Sequence, residues 1–183
     1  MRSVALFSTS LLFLFSGLAS ANPPSPYVGQ ETRAIKALSA QEVQDYLEGK
    51  GMGLAKAAEL NRYPGPAHAL ELAVPLDLTI EQKARTQELF KRMQEKAITL
   101  GRLLVDEEVN LDRLFATRTV TPETLRAALE RIGKVQSQVR EAHLEAHLAQ
   151  TEILSPAQTA KYVELRGYGA HPTGNGERQH GRH

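Results

Sequence analysis

The sequence predicts an all-α fold: a long antiparallel helical hairpin, with short N-terminal helices and one C-terminal helix. Three observations carry this expectation. Two long stretches each place side chains at alternating spacings of three and four, which is one stripe of an α-helix. Each stretch opens on a residue that caps helices. Only residues 116–120 join them, and so short a connection forces an antiparallel return.

Residues 1–21 read as a signal peptide. Arg2 supplies the basic start, an apolar run follows, and Ala19-Ser20-Ala21 is a small-x-small cleavage signal. The apolar run is short for a bilayer span, so removal is expected, with a retained anchor as the alternative. Residues 22–37 are rich in proline at first and unpatterned, and are expected to form a flexible leader. The folded part is expected over 38–168.

Leu38-Ser39-Ala40-Gln41-Glu42 opens a short helix: Ser39 caps, and Glu42 completes a capping box. Glycines from Gly49 to Gly53 stop it. Residues 54–61 suggest a second short helix. Tyr63-Pro64-Gly65-Pro66 forces a turn, and a turn or two of helix then carries His68 and Glu71.

Leu78-Thr79-Ile80-Glu81-Gln82 opens the first long helix, again as a capping box. Its stripe is Phe90, Met93, Ala97, Leu100, Leu104, Glu107, Leu111 and Leu114. Thr121 caps the second, and Pro122 suits the first helical position. Its stripe runs Leu125, Leu129, Ile132, Gln136, Val139, His143, Ala146, Gln150 and Ile153. The two stripes are mutual partners, over about 50 Å. Gly101 and Gly133 interrupt them, either for a close backbone approach or as tolerated defects. Leu154-Ser155-Pro156-Ala157-Gln158 starts a last helix ending near Gly167. Residues 169–183 are rich in Gly, His and Arg without pattern, and are expected to be disordered.

Composition narrows the function. Once Arg2 leaves, 21 basic residues face 21 acidic ones, which gives no electrostatic footprint for nucleic acid. There is no cysteine, so neither disulfides nor thiol chemistry contribute. No glycine-rich phosphate loop or nucleophile–base pattern occurs, so a non-enzyme without an organic cofactor is expected.

The repeated starts, Leu78-Thr79-Ile80-Glu81-Gln82 and Leu154-Ser155-Pro156-Ala157-Gln158, resemble the paired LTxxQ motifs of the Spy/CpxP family of periplasmic proteins. The resemblance covers residues 70–168, with serine in place of threonine in the second motif. It implies a dimerising all-α hairpin in the periplasm. Relatives include ATP-independent chaperones, zinc-resistance-associated proteins and heavy-metal sensors. The sensors hold metal with N-terminal histidines, a glutamate of the first long helix and a histidine of the second. Here the matching residues are His68, Glu88 and the pair His143 and His147. Leu72 stands where a second N-terminal histidine would follow His68, and the sensors' methionine ligand has no clear counterpart.

The residues support the same focus independently. His143 and His147 are one turn apart, an arrangement that suits zinc, nickel, cobalt or copper. The alternative is a hydrogen-bonded core His143 beside a surface His147. Antiparallel register puts His143 level with residues 93–95 and His147 level with Phe90. Met93 lies on the seam, whereas Glu88 points away from it and needs the N-terminal segment or a second subunit. Glu107 and Glu108 suggest a helix edge or a polar dimer contact. His171, His180 and His183 in the tail offer only loose metal binding.

Two functions remain in competition. One is a periplasmic, homodimeric, metal-binding protein of heavy-metal resistance or sensing, without a stable membrane span after signal removal. The other is an ATP-independent chaperone for unfolded envelope proteins, with no metal. An envelope dimer with neither role is the third possibility.

Overall fold

The computed structural model describes residues 23–168, so the expected signal peptide and the tail after Tyr168 lie outside the described residues. Residues 23–31 belong to a small unit of turns, closed by bonds such as Val28 N–H to Ser25 O at 3.1 Å. Among the remaining described residues every regular element is an α-helix. Its elements are α1 (Ala40–Leu47), α2 (Lys56–Glu59), α3 (Pro66–Glu71), α4 (Ile80–Ala116), α5 (Pro122–Ile153) and α6 (Pro156–Leu165). Among the described residues no helix is long and apolar enough to cross a membrane.

Helices α4 and α5 form the expected hairpin, 37 and 32 residues long. Thr119 and its neighbours make the reversal, with Arg118 in the left-handed region. Three cross-hairpin bonds set the register: Arg131 Nε to Glu107 at 2.9 Å, Lys96 Nζ to Glu145 at 2.8 Å, and Gln150 Nε2 to Thr86 Oγ1 at 3.2 Å. Ala97, Leu104, Ile132, Val139, His143, Ala146 and Gln150 are buried where the stripes put them.

Other positions differ by one residue. Ala128 is buried and Leu129 exposed, and Gln136 is exposed. On α4, Leu89, Gly101 and Glu108 are buried beside the expected stripe. Helices α1 and α3 also pack on α4, so its buried face is wider than the seam with α5. Glu107 therefore bonds within the hairpin, and Glu108 is enclosed, its carboxyl pushed up by desolvation.

The end of the leader packs on the hairpin. Ile35 is buried, and Lys36 gives both its backbone N–H (3.2 Å) and its ammonium (3.3 Å) to Asp112 of α4. The second short helix, expected over 54–61, narrows to the single turn of α2.

The two repeated motifs meet. Gln82 and Gln158 each accept the N-cap N–H of their own helix, from Thr79 at 3.1 Å and Ser155 at 2.9 Å. Each also donates its amide to the other, at 2.8 and 2.9 Å. Gln82 further donates to Ile153 O at 2.9 Å, and Gln158 to Leu76 O at 3.2 Å. The motif is thus a cap and a clasp at once, tying the starts of α4 and α6 together. Gln82→Ala or Gln158→Ala is expected to cost about 1–3 kcal/mol, because partly buried partners are left unmade. The double variant should cost clearly less than the two losses added, since both remove the same clasp. Additive losses in urea unfolding would refute the clasp.

Candidate metal centre

The fold gathers three histidines around one pocket. His143 and His147 of α5, Met93 of α4 and His68 of α3 line a cavity of about 300 Å³ with Phe90 and Gln94. The turn at Pro64 and Gly65 brings α3 against α4 and α5, which is how His68 arrives. A second, adjoining cavity is lined by His68, His147, Glu59 and Met52.

Each imidazole has a distinct environment. His147 donates Nδ1–H to Tyr63 O at 2.8 Å; a carbonyl only accepts, so the neutral ring keeps a bare Nε2. His68 places Nδ1 3.0 Å from Glu71 Oε2; a carboxylate likewise only accepts, so the neutral ring donates Nδ1–H and keeps a bare Nε2. His143 is buried, and its Nε2 has no hydrogen-bond partner. Burial first, and then the neighbouring His147, hold its pKa below the ordinary 6.5. It is therefore a neutral base across the neutral range.

Two expectations about the pair change here. His143 is a core residue, but one whose Nε2 is orphaned rather than hydrogen-bonded. His147 is no surface residue: its side chain is only 12% exposed. Its ring lies against Gly65, where a Cβ would come within 2.9 Å of Cε1 and 3.0 Å of Nε2. Replacing His147 must therefore disturb packing as well as remove a nitrogen.

Glu88 is not brought to the histidines. It is exposed and sits 3.7 Å from Arg92 on the outer face of α4. Its neighbour Leu89 faces the core, and one residue along a helix turns the side chain by about 100°. Besides Glu71, which bonds His68, the acid that approaches is Glu59 of α2, whose Oε2 is 3.7 Å from His147 Nδ1. Sequence reasoning passed over it. The available signal was a lone carboxylate in the otherwise mainly apolar 54–60 stretch.

Among the described residues no group of three His, Asp or Glu side chains is arranged to hold an ion as it stands. Coordination requires the imidazoles to turn toward one another. The donor set fits a transition metal nonetheless, because imidazole nitrogens and a thioether suit such ions and each ring has an uncommitted nitrogen. His171, His180 and His183 lie outside the described residues.

A stability profile follows from His143. With its folded pKa depressed, the unfolded chain binds more protons just below pH 6.5, so stability is full above that value and is lost as pH falls through the folded pKa. Glu108, with a raised pKa, acts oppositely: its contribution is lost as pH rises above the ordinary 4.5. The difference between the metal-free protein and His143→Leu isolates the histidine. Melting between pH 7.5 and 5, a window set around the ordinary histidine value, should show the native protein losing stability relative to the variant on acidification.

The protein is thus a two-helix hairpin, clasped at its open end, with two histidines of α5 turned toward its inner side. Residues 52–161 match the heavy-metal resistance family, a Spy/CpxP-like family, and the chain belongs to it. No curated protein and no solved structure matches the chain.

Proposed function

We propose that this member of the heavy-metal resistance family is a periplasmic, non-enzymatic protein that binds a divalent transition-metal ion between His143, His147 and His68, with Met93 alongside. The observation that carries this reading is the set of three imidazoles, each with an uncommitted Nε2, around one cavity. The bound ion would supply only a cross-link between α3 and α5. His143 and His147 would offer neutral nitrogens from one rigid helix, and His68 would close from the shorter, more adjustable segment. Two copies of the hairpin would pair through apolar side chains left on its outer faces.

The test is equilibrium titration with zinc, nickel, cobalt and copper on the mature chain and on a form ending at Gly169, which removes the tail histidines. About one ion per chain should bind to both forms, with affinity falling as pH drops through the histidine range near 6.5. If only the form with the tail binds, the pocket is not the site.

A chaperone is the second reading, favoured by one observation: Val74, in the turn after α3, and Ile80, the first residue of α4, are 85% and 92% exposed. Suppression of client aggregation that survives loss of metal binding, and fails when both become serine, would support it.

A further inference from the structure

The oxygen of Glu59 nearest the histidine site is buried without a partner, while its other oxygen is heavily engaged. Oε1 accepts from Tyr162 Oη at 2.7 Å, Tyr168 Oη at 3.0 Å and Arg166 Nε at 3.3 Å. All three donors come from α6 or the turn after it. Oε2 has no hydrogen bond. Leaving a buried carboxylate oxygen unmatched is unfavourable, so the group facing it matters. That group is His147, whose Nδ1 lies 3.7 Å away. The same Nδ1 is 2.8 Å from Tyr63 O. Tyr162 Oη also accepts the Gly65 N–H at 3.3 Å, so α6 holds both the carboxylate and the glycine on which the His147 ring rests.

We infer that Glu59 is a positioning residue for His147: a carboxylate anchored by α6 that holds the ring by its Nδ1 side and strengthens Nε2 as a metal ligand. The inference rests on the metal-binding reading above and adds to it the residue that tunes the site. The physics is that of a ligating imidazole whose far N–H faces an acceptor. Binding a cation at Nε2 drains electron density from the ring and makes Nδ1–H a stronger donor. A carboxylate already placed beside that proton then stabilises the loaded form more than the empty one. Tyr63 O alone fixes the tautomer but carries no net charge. Arg166, on the opposite oxygen, keeps Glu59 from being drawn away toward solvent.

The test uses the mature chain with its tail, cobalt(II) as the probe, and four variants. Glu59→Gln preserves size and keeps an acceptor for the tyrosines. It should weaken cobalt binding about tenfold, the lower range for loss of an outer partner of a ligand. In a His147→Ala background the same change should have no further effect. Gln82→Ala is the structural control: it should lower the melting temperature and leave cobalt affinity unaltered. A second readout needs no metal. Exchange of the His147 Nδ1–H with water, followed by histidine-selective NMR, should accelerate several-fold in Glu59→Gln, because the uncharged amide no longer attracts that proton. Equal losses of affinity in both backgrounds, or unchanged ring-proton exchange, would overturn the inference. If native protein binds cobalt no better than His147→Ala, the metal reading fails by itself, and the exchange rate alone then decides whether Glu59 positions the ring.

Discussion

Replacing His143 and His147 together by alanine is expected to lower affinity for zinc, nickel, cobalt or copper by about a hundredfold or more, since each loss of a metal contact is worth at least about tenfold. The single variants should separate three contributions. His68→Ala removes a side chain that is partly exposed and bonded locally to Glu71, so it should reduce affinity with little change in folding. His147→Ala should reduce affinity and also destabilise the metal-free protein by about 1–2 kcal/mol, because the Tyr63 carbonyl loses its donor. His143→Ala opens a cavity in the seam and should cost about 2–3 kcal/mol as well as a ligand. His68→Ala is therefore the variant in which binding and stability are most cleanly separated. Isothermal titration with paired melting curves checks all three, and a tail-free chain that binds equally well in every variant would remove the site from consideration.

Gly101→Ala and Gly133→Ala are expected to shift stability in opposite directions, although both place alanine inside a long helix. A methyl at Gly101 would overlap the carbonyl of Tyr46, lying 2.8 Å from its carbon. The obstacle is backbone at the end of α1, so α1 must move off α4. The strain, about 3 kcal/mol for an overpacked contact, exceeds the helix-propensity gain of about 1 kcal/mol. The net loss, about 2 kcal/mol, should lower the melting temperature by several degrees, on the order of 3 °C per kcal/mol. At Gly133 nothing lies within 4 Å of the added carbon. There the propensity gain stands alone, and Gly133→Ala should stabilise by up to about 1 kcal/mol. Calorimetry showing the same sign for both would contradict the close approach of α1 to α4.

The contrast between these glycines shows what was legible from the residues. Both read as interruptions of a helical stripe, and nothing local distinguishes them. Only Tyr46, 55 positions earlier, makes one indispensable and leaves the other idle. The capping boxes were different. Ser39 with Glu42, Thr79 with Gln82 and Ser155 with Gln158 cap as their spacing indicates, because a cap is made within four residues of chain. What spacing could not show is that Gln82 and Gln158 also hold each other.

The histidine site divides along the same line. Spacing along α5 placed His143 and His147 on one face, and the antiparallel register put Met93 at their level. The sequence by itself determined the all-α class, the helix starts, the hairpin and its register, because these follow from local hydrogen bonding and the 3.6-residue repeat. Tertiary structure alone decided that His68 joins the pair while Glu88 turns outward, that His147 is enclosed, and that Glu59 stands behind it with Tyr162, Arg166 and Tyr168. Those contacts span tens of positions in the chain, and their geometry depends on how short helices dock on long ones, which no local pattern encodes.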